Sequence, residues 1–184
     1  MLVERPGEKT FKPLTTATVI DAGTQVDTTK GRVRLTSVAD ALGALQTADF
    51  YSGRFAVTYI PDFVGTSPNL VTNLKLTAPL TGCPRVGAAR HLAVHSKKPP
   101  KRKRKQPKRK GPKVRSLWGN GIGHFRTQGA YASATVRGTY WLTQDACTST
   151  RVRVVTGVVD VFNIKRNVHT SVTAGHSVVV RKSK

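Results

Sequence analysis

The residues best able to do chemistry in this sequence form a basic run from 97 to 115. Its nineteen residues hold twelve Lys or Arg, four Pro and no acidic residue. Clustered cations bind anionic polymers by releasing counterions, an attraction that ignores sequence and weakens with salt. The run has no aromatic residue for base stacking, so any nucleic-acid binding is expected to be non-specific. We therefore predict anionic-polymer contacts at its cationic side chains, which are Lys97, Lys98, Lys101, Arg102, Lys103, Arg104, Lys105, Lys108, Arg109, Lys110, Lys113 and Arg115.

The same run predicts how the chain is divided. Like charges interspersed with prolines repel one another and bury nothing, so residues 97 to 115 are expected to be a disordered insertion. Its twelve charges leave +10 of the formal net charge of +22 on the other 165 residues, so the remainder is basic too. We expect the N-terminal part of one β domain at 1 to 96, and its C-terminal core with a basic tail at 116 to 184.

Cys83 and Cys147 are the two cysteines, and they allow a single pairing. A disulfide between them would close a loop of about 65 residues around the basic run and stabilise the fold by about 4 kcal/mol in the chain-entropy model. That arrangement fits an oxidising compartment, whereas two reduced, buried thiols would fit the cytoplasm. The N-terminal residues, MLVERPGEKTFKPL, have neither the apolar core nor the cleavage site of a signal peptide, so export would require a signal further upstream.

The inventory of catalytic and metal-binding residues is poor. His91 and His95 would share a face only on a helix, and no further ligand follows at a usual zinc spacing. The sequence has no G-x-S-x-G motif, its two Glu lie in the N-terminal arm, and its seven Asp show no paired spacing. We accordingly predict no catalytic residues, no metal site and no cofactor, and we do not expect an enzyme.

The elements around these residues are predicted to be short strands. From 132 to 161 apolar and polar residues alternate with period two, through Val136, Val152 and Val154 among others, and the breaks fall on turn residues such as Gly138 and Gly157. Similar short segments recur along the chain at spacings of roughly eight to twelve residues. We therefore predict an all-β fold, either solenoid-like or a sandwich. No apolar stretch is long enough to span a membrane.

Three local predictions follow from the turn residues. Residues 16 to 20 are expected to form a strand, and Ser52 and Gly53 to close a hairpin between strands at 47 to 51 and 54 to 59. The segment GNGIG, from 119 to 123, is expected to be a turn. It is not a phosphate-binding loop, because the next residues, FRT, are typical of a strand and not of the helix that such a loop requires.

Tyr140 and Trp141 are the aromatic residues predicted to include a ligand contact. They are adjacent on one predicted strand, so their side chains must face opposite sides of the sheet. We expect one of them to be at least partly exposed, although the alternative for both is a place in the hydrophobic core.

Several of these motifs together resemble the FecR domain. The segments that carry the resemblance are SATVRGT at 133 to 139, the valine-rich pair of strands from Thr150 through Gly157 to Val161, and the closing turn Val172-Thr-Ala-Gly175. The stretches GTQVDTTKGRVRLT at 23 to 36 and LWGNGIGHFRT at 117 to 127 are similar to secreted FecR-like proteins of high-GC Gram-positive bacteria. Together these segments are spread over most of the chain, from residue 23 to residue 175.

The resemblance implies an extracytoplasmic β module that binds or signals and does not catalyse a reaction. Founding members of the family carry an anti-sigma segment and a membrane helix before this domain; neither is recognisable in these residues, so we expect only the domain to carry over. The expected partner is a protein or an anionic cell-envelope polymer. The alternative is a cytoplasmic protein that binds nucleic acid non-specifically through residues 97 to 115.

Overall fold

A computed structural model describes residues 1–64, 67–83 and 114–183 of the chain. Within these ranges the structure has fifteen strands and no helix. The strands are β1 (Leu2–Glu4), β2 (Lys12–Pro13), β3 (Gln25–Asp27), β4 (Arg32–Val38), β5 (Leu45–Tyr51), β6 (Arg54–Val64), β7 (Ser67–Leu76), β8 (Arg115–Ile122), β9 (Phe125–Gln128), β10 (Ala132–Val136), β11 (Thr139–Ala146), β12 (Ser149–Thr156), β13 (Val158–Asn163), β14 (Val168–Thr173) and β15 (Ser177–Arg181). The predicted insertion lies outside the described residues from 97 to 113, as do His91 and His95.

The strands form two open sheets, which confirms the all-β prediction in its sandwich form. One sheet has nine strands in the order β14-β13-β10-β9-β7-β6-β3-β1-β2, and the other has six in the order β15-β12-β11-β8-β5-β4. Among the described strands all neighbouring pairs are antiparallel except β7 and β9, which are parallel. A single hydrophobic cluster from both sheets fills the space between them, and its largest members are Phe50, Phe55, Phe125 and Trp141.

The predicted hairpin between residues 47 to 51 and 54 to 59 is wrong. Its two halves are β5 and β6, which belong to different sheets. Phe50 and Phe55, on either side of the bend, are both fully buried with their ring centroids 5.9 Å apart, so the chain crosses the core here. The crossing is tight because a Cβ on Gly53 would lie 2.1 Å from the carbonyl oxygen of Ser116. Burial of both aromatic rings therefore outweighs the local preference for a hairpin.

The predicted turn at 119 to 123 is also wrong for most of its length, because β8 runs on to Ile122. Gly119 is paired with Trp141 on one side and Phe50 on the other, and all three residues face the core. A Cβ on Gly119 would lie 2.5 Å from the indole ring of Trp141. The glycine is therefore part of the strand and leaves room for the largest side chain of the core.

The strand predicted at 16 to 20 is not formed, and this segment has no ladder partner among the described residues. Its side chains lie around a cavity of about 600 Å³ together with Val33 and Leu35 of β4. The carbonyl oxygen of Ile20 accepts a hydrogen bond from the hydroxyl of Tyr59. Alternating residue types predict a strand only where a neighbouring strand can pair, and here β4 stays unpaired on this side.

The C-terminal end of β11 anchors both ends of the chain segment between β7 and β8. Cys147 forms a disulfide with Cys83, with the two Cα atoms 5.4 Å apart. Two residues earlier, the fully buried carboxylate of Asp145 pairs with Arg115, the first residue of β8, at 2.8 Å. Arg115 also donates a hydrogen bond to the carbonyl oxygen of Ala78. We refer to these contacts as the β11 clamp, and they fix the points at which residues 84–113 leave and re-enter the sandwich.

Loss of the disulfide should destabilise the fold strongly. The bond joins residues 64 positions apart, and a loop of this size predicts a loss of about 4 kcal/mol when Cys83 and Cys147 are both changed to Ser. Urea unfolding followed by tryptophan fluorescence measures the difference. Reductant should shift the wild-type curve in the same direction and leave the curve of the double variant unchanged. A wild-type curve that does not respond to reductant, or free thiols that alkylate without it, would contradict the expectation.

Asp145→Asn should cost about 3 to 5 kcal/mol of unfolding free energy, because it leaves the largely buried guanidinium of Arg115 without its counter-charge. The matched control is Asp160→Asn, which changes an exposed contact with His169 and should cost less than about 1 kcal/mol. The same urea titration compares them, and equal effects of the two substitutions would argue against the structural role of Asp145.

Candidate functional site

The outer face of the six-stranded sheet carries the candidate site. Because side chains alternate along each strand, every second residue of β4, β5, β8, β11 and β12 points away from the core. The register places these residues in rows across the sheet. One row runs through Arg32, Tyr51, Trp118, Leu142 and Arg153.

Three aromatic residues of this face, Tyr51, Trp118 and Tyr140, form what we call the aromatic ladder. The Trp118 ring lies 6.3 Å from that of Tyr51, nearly parallel to it, and 5.0 Å from that of Tyr140. The Tyr51 hydroxyl donates a 2.8 Å hydrogen bond to the Tyr140 hydroxyl, so the two tyrosines are linked across the strand that carries Trp118. The Arg32 guanidinium covers the outer side of Tyr51 at 4.5 Å. The rings therefore cover one another and hold a fixed arrangement.

The surroundings of Tyr51 keep its hydroxyl protonated. Desolvation, followed by the hydrogen bond to Tyr140, raises the pKa of Tyr51 to about 12. The hydroxyl is thus a neutral donor over the whole physiological range.

The next row contains the one carboxylate on this face among the described strands, Asp49. Arg34 donates two hydrogen bonds to it, at 2.8 and 3.2 Å, and Arg32 lies 3.8 Å away. The hydrogen bonds from Arg34 hold the pKa of Asp49 below its usual value, although partial burial acts in the opposite direction. The negative charge of Asp49 is therefore matched by the two arginines of β4.

The other side of the face is cationic. Arg151 and Arg153 on β12 and Arg181 on β15 all point outward and are exposed. None of the three pairs with a carboxylate of the described residues. We call these three residues the cationic strip. An anion approaching this side of the sheet meets guanidinium groups that no carboxylate there neutralises.

A groove of about 880 Å³ lies at the end of the face where the chain passes from β10 to β11. Asn120 and Ile122 of β8 lie between Thr47 and Asp49 of β5 on one side and the β10–β11 turn with Arg137 on the other. Ile122 is 77% exposed. The groove is continuous with the aromatic ladder, because Asn120 is paired with Tyr140.

The remaining chemistry of the described residues is sparse. His169 and Asp160, on the nine-stranded sheet, form an exposed pair at 2.6 Å, and the His169 ring packs against Phe162. No group of three or more His, Cys, Asp or Glu lies close enough together to hold a metal ion within the described ranges. The described residues also contain no helix of the length and apolarity that a membrane span requires.

The predicted contact residues are divided by the structure. Trp141 is fully buried and its indole N–H bonds to Thr127, so of the predicted aromatic pair only Tyr140 faces outward. Arg115 of the predicted cationic set is held in the β11 clamp. The other eleven cations of that set lie outside the described residues, so their role with an anionic polymer stays a prediction.

Sequence reasoning missed the cationic strip and most of the aromatic ladder. A signal was present, since RVRL at 32 to 35 and RVRV at 151 to 154 alternate arginine with apolar residues. On a strand that alternation puts both arginines of each motif on the solvent face. The rows across the sheet could not be found in this way, because they depend on which strands are neighbours.

A solved structure with some similarity is that of a "putative anti-sigma factor" from Parabacteroides distasonis, at 9% sequence identity and a TM-score of 0.38. The likeness covers 83% of this chain and 56% of that protein, so the chain spans less than two thirds of its length. No protein-family model matches the sequence, and no curated protein matches it.

Replacing Arg34 with Gln should raise the pKa of Asp49 towards 3.8. A depressed folded-state pKa stabilises the fold above the unfolded-state pKa, and this contribution is lost as the pH falls through the folded-state value. In the variant the folded-state pKa approaches the unfolded-state value, so most of this stabilising contribution should be absent and the acid titration of stability should be shallower. Side-chain carboxyl NMR followed through an acid titration reports the pKa directly. Arg153→Gln, on the same face but away from Asp49, is the control, and a shift of equal size there would refute the pairing.

Proposed function

We propose that this chain is a non-enzymatic, extracytoplasmic binding module of FecR type, and that its ligand is an anionic polymer of the cell envelope. The observation that carries the proposal is the outer face of the six-stranded sheet, where five arginines accompany a single aspartate. These residues are Arg32, Arg34, Arg151, Arg153, Arg181 and Asp49.

The charge distribution supports an anionic ligand. Arg32 and Arg34 are engaged with Asp49, whereas no carboxylate of the described chain neutralises the cationic strip. A guanidinium group binds carboxylate or phosphate through two parallel hydrogen bonds and is always charged. Neighbouring strands are about 4.8 Å apart, so the strip offers several charges within reach of one polymer chain.

The disulfide supports the extracytoplasmic location. Such bonds persist in oxidising compartments and are rare in the cytoplasm, where reductants keep thiols free. The bond between Cys83 and Cys147 also belongs to the β11 clamp and so contributes to the fold itself. A module of this kind would be most stable outside the cytoplasm.

The basic run is proposed to add to the same attraction. Arg115, at its end, leads directly into Ser116, which lies in the outward row through Gln144 and Arg151. The other end of the segment leaves the fold at Cys83, held to Cys147 at the same end of β11. Cys83 and Arg115 therefore both lie near the cationic strip, and we expect the cations between them in sequence to act on the same ligand as the strip.

The test is binding of the full chain to two carboxylate polymers, poly-L-glutamate and polygalacturonate, with duplex DNA as a third probe. Affinity for the carboxylate polymers should fall steeply between about 50 and 200 mM salt. Changing Arg151, Arg153 and Arg181 together to Gln should weaken binding by more than about tenfold and reduce the salt slope by about one for each arginine lost.

The control variant removes the same charge elsewhere, by changing the exposed Lys9, Lys165 and Arg166 to Gln. It should bind almost as the wild type does. Equal loss in both variants would mean that net charge alone acts and that the face is not the site. Duplex DNA bound more tightly than both carboxylate polymers would overturn the proposal in favour of nucleic-acid binding.

A further inference from the structure

We infer that the groove beside the aromatic ladder is a sugar-binding subsite, so that the anionic ligand is a glycopolymer. This inference rests on the proposed function and names the chemical class of its ligand. The lining of the groove mixes exposed apolar side chains with hydrogen-bonding groups. Its volume of about 880 Å³ lies in the range of about 300 to 1,000 Å³ typical of ligand clefts.

The apolar part of the lining is exposed to an unusual degree. Leu45 and Ile122 are 72% and 77% exposed, and they lie on adjacent strands at the same end of the sheet. Large apolar side chains grouped on a surface mark an interaction site more often than isolated ones do. A pyranose ring presents an apolar C–H face that can lie against such side chains.

The polar part of the lining can satisfy ring hydroxyls. The Asn120 side chain is exposed and has no hydrogen-bond partner among the described residues, which leaves two donors and one acceptor group for a ligand. Thr47 and Thr156 add hydroxyls on either side of it. A sugar hydroxyl both donates and accepts, so a mixed set of this kind suits it better than a set of cations alone.

The charged part of the lining has a net positive charge, because Arg34 and Asp49 pair with each other and Arg137 remains, so it favours acidic sugars. Arg137 is exposed on the β10–β11 turn, and its side chain has no partner in the described part of the chain. Thr156, at the edge of the groove, is three residues along β12 from Arg153, about 10 Å at 3.3 Å per residue. A polymer seated in the groove therefore continues onto the cationic strip.

The aromatic ladder is not itself the stacking surface. Trp118 lies between Tyr51 and Tyr140, Arg32 covers the other side of Tyr51, and the tyrosine hydroxyls bond to each other across Trp118. Its part in sugar binding is to hold β5, β8 and β11 in a fixed relation, so that Asn120 and the threonines are in place before the ligand arrives. The groove contributes selectivity, whereas the cationic strip contributes the long-range attraction.

The experiment compares the affinity of the wild-type chain for polygalacturonate and poly-L-glutamate at equal carboxylate concentration and about 200 mM salt. We expect polygalacturonate to bind at least about tenfold more tightly. Asn120→Ala combined with Ile122→Ser should remove this preference and leave the affinity for poly-L-glutamate unchanged. Both side chains are exposed, so the fold should tolerate the changes, which tryptophan fluorescence and urea unfolding can verify. Thr170→Ala on β14, exposed on the other sheet, is the control.

The outcomes separate the two proposals. Equal affinity for the two polymers in the wild type would overturn the sugar subsite while the proposed binding function stands. Binding to neither polymer would overturn the proposed function and the subsite with it. A preference that survives Asn120→Ala/Ile122→Ser would place sugar recognition elsewhere and overturn the assignment of the groove. As a direct check, trigalacturonate should shift the side-chain amide resonances of Asn120, and an unchanged signal at saturation would refute contact there.

Discussion

The structure depends on one buried carboxylate. Asp145 ends the core-facing row of β11, and it accepts hydrogen bonds from Arg115, from the backbone N–H of Ala130 and from the hydroxyl of Thr150. A charge without solvent is tolerated only when its lone pairs are filled in this way. The contacts join β8, the β9–β10 turn and β12 at one point, and the disulfide of Cys147 lies two residues away. Strands distant in sequence are thereby held in register by the fold itself, without a ligand.

That register decides what each side of the six-stranded sheet presents. With β8 fixed beside β11, Gly119 leaves space for Trp141 on the inner face, and Trp118 is placed between Tyr51 and Tyr140 on the outer face. The inner arrangement is apolar packing and stabilises the sandwich. The outer arrangement leaves the three rings half-buried, and it is fixed by the same strand pairing. A surface of this kind loses little conformational freedom on binding.

The sequence predicted the features that depend on residues close together in the chain. It did not predict the features that depend on contacts between distant parts of the chain. Alternation predicted the strands that include Val152 and Val154, and the count of two cysteines limited the disulfide to Cys83 and Cys147. Which strands are neighbours could not be predicted, and the hairpin at Ser52 and Gly53 failed for that reason. Gly119 was misjudged because a glycine inside a strand has the same local signal as one in a turn; only its closeness to Trp141 distinguishes the two. The candidate site combines both cases, since its arginines follow from alternation and its rows follow from topology.

On the outer face, the groups that attract a ligand over a long range differ from the groups that select it at short range. Unpaired arginines act over a Debye length of about 8 to 10 Å and cannot distinguish one anionic polymer from another. Short-range groups discriminate between ligands, because a ligand hydroxyl left without a hydrogen-bond partner costs binding free energy and a paired hydroxyl does not. Asn120 and the apolar Ile122 line the groove at one end of the face, whereas Arg151, Arg153 and Arg181 lie near the end of β11 at which Cys83 and Arg115 are anchored. The arginines that attract an anionic polymer and the short-range groups that select among polymers thus lie at opposite ends of one rigid sheet. A ligand long enough to reach both ends gains binding free energy from each.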